Sequence, residues 1–130
     1  MKPIIFSGID LVEINRFTRL NPAIRKRFYA RVFTPEELDY VGELCNKAAG
    51  IFAAKEAIAK ALGCGIGPIS WQDIAISHTP NNQPIVTLLN RAQEKAKTLH
   101  IKQWSISITH TKNTAAAIAV AAADIEIDQN

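Results

Sequence analysis

The stretch FAAKEAIAKALG, residues 52–63, predicts a helix that carries a charged pair among small side chains. Glu56 and Lys60 are four residues apart, so they share one face of that helix, and Phe52 lies one turn earlier on the same stripe. The other face, which includes Ile58, has the apolar spacing of a helix that packs on a core. The charged face is either a solvated ion pair or a place where a ligand approaches the helix closely.

The size and composition of the chain indicate one globular domain that spans residues 1–130. A chain of this length buries roughly two-thirds of the surface that it exposes when unfolded. Cys45 and Cys64 are too few for a disulfide framework or a zinc site, so we expect both to be free thiols in a reducing compartment. We find no secretory signal and no apolar segment near the ~20 residues of a membrane span, which predicts a cytoplasmic protein without membrane association.

Positive charge is concentrated in one segment near the amino terminus. The net charge of the whole chain is +3, but residues 14–33 contain no acidic residue and six basic ones: Arg16, Arg19, Arg25, Lys26, Arg27 and Arg31. Such a patch favours an acidic protein, a nucleic acid or an anionic lipid as its partner. A solvated helix face, with counter-charges supplied from elsewhere in the fold, would have the same pattern.

The order of predicted elements indicates an α+β fold with a mostly antiparallel sheet packed with helices. A strand begins at residue 3 and extends into residues 8–13, which places Asp10 on the face opposite Ile9 and Leu11. Two basic helices follow, the second over residues 23–32. The next helix begins with a capping box between Thr34 and Glu37 and extends to about residue 45.

The second half of the chain is predicted to contain two hairpins separated by a helix. The helix of residues 52–63 ends in a loop with three glycines and a proline. The strands of the two hairpins and the helix between them are then predicted over residues 71–77, 84–88, 89–99, 104–110 and 115–123. The loop glycines could bring backbone amides close to a phosphate, or simply connect two elements.

Three polar residues interrupt otherwise apolar segments and are candidates for chemistry: Asp10, Glu56 and His110. Mg²⁺ prefers one or two carboxylates together with phosphate oxygens and water, which suits Asp10 and Glu56. Lys60 and His110 can offset phosphate charge, although His110 could instead be a turn residue bonded to backbone. A Ser107–His110 dyad is disfavoured because neighbouring strand positions rarely give attack geometry and no nucleophile-elbow pattern is present.

Five motifs occur in a fixed order along the chain: GIDLVEI at residues 8–14, FTPEEL at 33–38, FAAKEA at 52–57, WQDI at 71–74 and SITHT at 107–111. Together they resemble the bacterial holo-[acyl-carrier-protein] synthases, which are 4′-phosphopantetheinyl transferases. The resemblance extends over about residues 5–120. It implies transfer of the 4′-phosphopantetheine group of coenzyme A to a serine of apo-acyl carrier protein, with release of adenosine 3′,5′-bisphosphate, in support of fatty acid biosynthesis.

The resemblance also implies roles for individual residues. Asp10 and Glu56 would bind Mg²⁺, and Glu56 and Lys60 would be catalytic. Coenzyme A would contact Lys60 and four further residues: Gly63, Gly65, His110 and Thr111. The serine nucleophile belongs to the carrier protein, and the acceptor of its proton is either Glu56 or a metal-bound water. The family forms homotrimers with active sites between subunits, so we expect the same assembly here.

The same resemblance implies a binding partner for the basic patch. Acyl carrier proteins are acidic, so Arg16, Arg25 and Arg27 are predicted to dock the carrier protein, and no nucleic acid is expected. The chain departs from the family at Ile51, where arginine is usual, and at Gln83, where glycine is usual. Two other functions remain open. A Mg²⁺-dependent phosphohydrolase that acts on a nucleotide would use Asp10 and Glu56, and a non-catalytic trimeric module that binds acidic helices or nucleic acid would use the basic residues from Arg16 to Arg31.

Overall fold

The computed structural model describes residues 2–125. Strand β1 is followed by four helices, a hairpin, a helix and a second hairpin, which confirms the predicted order. The helices and strands are β1 (Lys2–Glu13), α1 (Asn15–Thr18), α2 (Pro22–Val32), α3 (Pro35–Val41), α4 (Cys45–Ala61), β2 (Ile74–His78), β3 (Pro84–Leu88), α5 (Asn90–Thr98), β4 (Ile101–His110) and β5 (Thr114–Ile125). Within the described range, no helix combines the length and the apolar character that crossing a membrane requires.

The strands form two separate antiparallel sheets, whereas the sequence suggested one. The larger sheet has the order β1-β5-β4 and the smaller one pairs β2 with β3. On β5 the buried positions are all alanines: Ala115, Ala117, Ala119, Ala121 and Ala123. Because alternate residues of a strand face the same side, these small side chains give α4 a flat surface to pack on.

The two faces of β1 differ in what covers them. Gly8 and Val12 are buried against α4, and Asp10 shares their face, as the alternation predicted. Ile5, Ile9 and Leu11 point the other way and are 72%, 66% and 71% exposed, respectively. Exposed apolar side chains grouped on one face are typical of surfaces that contact another molecule.

Several predicted element boundaries are wrong, and two of them have a clear local cause. Helix α3 ends at Val41 rather than near residue 45, because Gly42 has a φ of +53° and leaves the helical conformation; Cys45 instead begins α4. Residues Trp71–Asp73 form a 3₁₀ turn rather than the start of a strand. Ser70 and Asp73 cap this turn, so strand β2 begins only at Ile74.

Helix α4 is buried on almost all sides, which corrects the predicted division into a charged face and a core face. Phe52, which the spacing placed on the charged stripe, is 3% exposed. Its ring centroid lies 5.5 Å from that of Phe17 and 4.8 Å from that of Trp71. Glu56 and Lys60 alone keep contact with solvent in the second half of the helix, because α1, the 3₁₀ turn and the large sheet enclose the rest.

A buried ion pair joins α4 to the elements around it. The Lys55 ammonium lies 2.5 Å from Glu37 Oε1 and donates to the carbonyl oxygens of Val32 and Trp71, at 2.8 and 3.2 Å. The other carboxylate oxygen of Glu37 accepts from the Ile76 amide at 2.7 Å. Burial lowers the pKa of Lys55, and the Glu37 carboxylate opposes that change. The predicted capping box between Thr34 and Glu37 is also present.

Removing the lysine charge should destabilise the fold. Lys55→Met leaves the Glu37 carboxylate buried without its cation, and we expect a loss of about 3–5 kcal/mol in the free energy of unfolding. Urea unfolding followed by circular dichroism measures this loss. Lys97→Met, the same replacement at an exposed position of α5, should change stability by no more than about 0.5 kcal/mol. Equal effects of the two substitutions would contradict this account of the pair.

Candidate active site

Asp10 and Lys60 connect the middle of β1 to the end of α4. The Lys60 ammonium donates to Asp10 Oδ1 and to the Ile9 carbonyl oxygen, each at 3.0 Å. The Asp10 side chain is 16% exposed and that of Lys60 is 50% exposed. The carboxylate is therefore held inside a shallow hollow while the lysine can turn toward a ligand without leaving solvent.

Glu56 lies one helical turn before Lys60 and faces the same region. Burial raises the pKa of Glu56, and the neighbouring Asp10 carboxylate raises it further, while Lys60 and Arg16 lower it. The sequence predicted that Asp10, Glu56 and Lys60 act together. The structure brings these three side chains into one electrostatic cluster at the edge of the large sheet.

The cluster has the donor set that a divalent cation requires. Within residues 2–125 no group of three or more His, Cys, Asp or Glu side chains comes together, so the protein offers two carboxylates here rather than a full coordination cage. Mg²⁺ is commonly bound by one or two carboxylates that leave positions for phosphate and water. Because the Asp10 charge opposes ionisation of Glu56, a cation between the two would relieve that repulsion. The residues present therefore fit Mg²⁺.

His110 and Thr111 lie at the opposite end of α4. His110 Nε2 is 3.5 Å from the Asn46 amide nitrogen, at the start of the helix, and Nδ1 is 3.2 Å from the Thr111 carbonyl oxygen. Asn46 and Lys60 are separated by fourteen residues of one helix, or about 21 Å at 1.5 Å per residue. Among the described residues, His110 contacts Asn46 and Thr111, and no hydrogen bond joins it to Asp10, Glu56 or Lys60.

A hollow of about 220 Å³ surrounds His110. Its lining includes Lys47, His78, Asn46 and Ile51 and contains no acidic side chain. Lys47 also holds its ammonium 4.5 Å from the ring centroid of Tyr40. The hollow is basic and polar, which suits an anionic ligand.

The loop glycines predicted to approach coenzyme A are used to end α4. Gly63 and Gly65 have φ values of +80° and +66°, a conformation that glycine adopts without strain. Their amides donate to the carbonyl oxygens of Lys60 and Ala59, at 2.9 and 3.1 Å. Both amides thus complete the helix terminus, and the structure does not aim them at the carboxylate cluster.

The three arginines predicted to dock a carrier protein have different surroundings. Arg16 is exposed, with its guanidinium carbon 5.3 Å from the ring centroid of Phe52, and Arg27 is exposed on α2. Arg25 is half-buried and donates to the Phe17 carbonyl oxygen at 3.4 Å. An apolar groove of about 150 Å³ beside Arg16, lined also by Ile24, was not predicted from the sequence.

Three comparisons identify relatives of the chain. Residues 7–121 match the model of the 4′-phosphopantetheinyl transferase superfamily. The holo-[acyl-carrier-protein] synthase of Moorella thermoacetica is 42% identical over 119 residues, which cover 88% of this chain and 91% of the relative. The crystal structure of the Helicobacter pylori synthase in complex with coenzyme A has a TM-score of 0.80 and 37% identity, covering 88% of this chain and 98% of the other.

The chain belongs to the holo-[acyl-carrier-protein] synthase family. It is therefore an enzyme, a phosphopantetheinyl transferase, and the resemblance inferred from the five motifs is confirmed. A Bacillus anthracis member in complex with coenzyme A (3′,5′-ADP) has a TM-score of 0.76 at 29% identity, covering 95% of this chain and 100% of the other. The antiparallel α+β architecture described above is thus the architecture of solved family members.

Sequence reasoning missed several residues of the site's surroundings, among them Lys47 in the hollow at His110. Lys55 precedes Glu56 but is fully buried, which its charge did not suggest, and its partner Glu37 was assigned only to the helix cap. Gly8 packs directly on the backbone of α4. A glycine inside an otherwise regular strand is a known signal for close backbone approach and could have indicated this contact.

The electrostatic coupling within the cluster predicts opposite effects of two substitutions. Asp10→Asn removes a charge that raises the pKa of Glu56, so this pKa should fall. Lys60→Met removes a charge that lowers it, so the pKa should rise. Carbon-13 NMR titration of protein labelled at glutamate carboxyls measures the pKa of Glu56 in each variant. Lys97→Met on α5 is the control and should leave this pKa unchanged. Shifts of the same sign in both variants would show that the cluster is not coupled as described.

Proposed function

We propose that this enzyme transfers the 4′-phosphopantetheine group of coenzyme A to a serine of an apo-acyl carrier protein, with Asp10 and Glu56 holding Mg²⁺, in support of fatty acid biosynthesis. The observation that carries the proposal is the cluster of Asp10, Glu56 and Lys60 in a chain of this family. The names of the relatives support the carrier substrate, and the family structures with coenzyme A support the donor.

In the transfer, the serine oxygen forms a bond to the phosphorus next to pantetheine while the bond from that phosphorus to the bridging oxygen breaks. Adenosine 3′,5′-bisphosphate leaves with the bridging oxygen. The cation, when bound, neutralises charge on the pyrophosphate oxygens. The half-exposed Lys60 ammonium is free to turn from Asp10 to the leaving phosphate. Glu56, or a water molecule of the site, accepts the serine proton.

The assembly that we propose is a homotrimer whose active sites lie between subunits. The basic hollow at His110 lies at the start of α4 and the carboxylate cluster near its end, and the lining of the hollow includes none of Asp10, Glu56 and Lys60. A neighbouring copy would bring its hollow to the cluster. The exposed apolar face of Ile5, Ile9, Leu11 and Ile118, which borders Asp10, is the surface that such a copy would cover.

Within that assembly, the basic hollow would bind a phosphate of coenzyme A. Ile51 replaces the arginine that is usual in the family and is buried in the hollow wall. Lys47 lies four residues earlier on α4, lines the same hollow and supplies a positive charge there. We therefore assign the phosphate contact to Lys47 and His110 rather than to a residue at position 51.

The carrier protein would dock at α1 and α2. Arg16 and Arg27 offer exposed positive charge, and the groove beside Ile24 can take an apolar side chain of the carrier helix. Arg25 contributes less directly to docking, since its guanidinium is hydrogen-bonded to the Phe17 carbonyl oxygen and so links α2 to α1. Docking through charge should weaken as salt increases.

The transfer itself is tested with the intact enzyme, apo-acyl carrier protein, coenzyme A and Mg²⁺, followed by mass spectrometry of the carrier. We expect the carrier to gain the phosphopantetheine mass. Glu56→Gln should slow this gain on the order of 100-fold or more, with carrier binding retained. Glu94→Gln, the same change at an exposed position of α5, should not slow the mass gain.

Other outcomes of this experiment would support a different function. Nucleotide release from coenzyme A without any carrier protein would indicate the phosphohydrolase. Carrier binding with no mass gain in the wild type would indicate the non-catalytic module. Either result, repeated with several carrier proteins, would contradict the proposed transfer.

The shared active site predicts complementation between two inactive variants. Asp10→Asn disables the carboxylate cluster and His110→Ala disables the hollow. If they are dissociated, mixed in equal amounts and reassembled at random, about a quarter of the interfaces among all the trimers formed combine an intact cluster with an intact hollow. Transfer activity should therefore return to about a quarter of the wild-type value. Activity no greater than that of the separate variants would show that each chain carries a complete site.

A further inference from the structure

Gly8 holds β1 in direct contact with the backbone of α4. A Cβ atom built on Gly8 would lie 1.9 Å from the Ala57 carbonyl oxygen and 2.8 Å from the Ala61 amide nitrogen. Both distances are shorter than real Cβ contacts, and both obstacles are backbone atoms that cannot rotate away. No other residue fits at this position unless the strand and the helix move apart.

This contact lies beside the charged cluster. Ala57 and Ala61 directly follow Glu56 and Lys60 in the chain, and Asp10 is two residues beyond Gly8 on the same face of β1. The separation between strand and helix at Gly8 therefore governs the separation between the Asp10 and Glu56 carboxylates. Buried alanines on α4 and on the neighbouring strand β5, including Ala57 and Ala119, which pairs with Gly8, keep that separation small.

We infer that Gly8 is a positioning residue that sets the size of the cation the two carboxylates accept. The inference rests on the proposed function, in which Asp10 and Glu56 hold the cation. Mg²⁺ requires oxygen ligands at about 2.0–2.1 Å in nearly ideal octahedral geometry, whereas Ca²⁺ accepts ligands at about 2.3–2.6 Å in flexible geometry. A close strand–helix contact thus favours the smaller ion, and a wider one removes that preference.

Gly50 provides a matched control on the same helix. A Cβ atom there would meet only the Cγ2 atom of Ile108, at 2.9 Å, which is a side-chain methyl group rather than backbone. Gly50 lies in the first half of α4, six residues before Glu56. Gly50→Ala therefore tests whether crowding between α4 and the sheet affects the cation site in general, and Gly8→Ala tests the contact beside it.

The experiment titrates the intact wild-type protein, Gly8→Ala and Gly50→Ala separately with Mg²⁺ and with Ca²⁺, and follows binding by amide NMR shifts. We expect Gly8→Ala to weaken Mg²⁺ binding on the order of tenfold and Ca²⁺ binding much less. The ratio of the Mg²⁺ to the Ca²⁺ dissociation constant should therefore rise in Gly8→Ala and stay at the wild-type value in Gly50→Ala. A general loss of stability would not change this ratio.

A folded Gly8→Ala protein with the wild-type ratio would overturn the inference, as would an equal change in Gly50→Ala. If Gly8→Ala does not fold, Ala57→Ser adds one oxygen atom to a fully buried residue of the same contact. It should change the ratio in the same direction by a smaller factor, and no change in a folded Ala57→Ser protein would overturn the inference. A wild-type protein that binds neither ion, with coenzyme A present as well as without it, would overturn the proposed cation site itself, and with it the role of Gly8.

Discussion

The buried ion pair between Lys55 and Glu37 is the interaction on which the arrangement of the helices depends. Through the hydrogen bonds of its two members, it joins α4 to the end of α2 at Val32, to the 3₁₀ turn at Trp71 and to strand β2 at Ile76. Two buried charges are costly unless each is paired and fully hydrogen-bonded. Here both conditions are met, so the pair specifies one packing of these elements around α4.

The same helix presents the active-site carboxylate. Lys55 and Glu56 are consecutive and so point about 100° apart around the helix axis, one into the core and the other toward Asp10. On its sheet side, α4 is fixed by the backbone contact at Gly8. The charged cluster is thus carried by a rigid helix and a rigid strand rather than by a loop, which suits a site that must hold ligands at fixed distances.

Local signals in the sequence predicted the fold well, because capping and strand alternation depend on residues close together in the chain. The Thr34–Glu37 capping box, the face of Asp10 and the final hairpin are examples. The burial of Phe52 and the role of Lys55 could not be predicted in this way, since their partners lie far away in the chain. For the site, the spacing of Glu56 and Lys60 predicted correctly that the two side chains lie on the same side of α4. The position of His110 at the start of this helix could not be predicted, because it depends on how β4 packs against α4 in the tertiary structure.

The central claim is that Asp10 and Glu56 together hold the divalent cation of a phosphopantetheinyl transfer. Crystals of the protein grown with coenzyme A and Mn²⁺, which gives a strong anomalous signal, test this most directly. The account predicts an anomalous peak within coordinating distance of a carboxylate oxygen of each residue and of a pyrophosphate oxygen. A peak that contacts neither carboxylate, with coenzyme A bound in place, would contradict it.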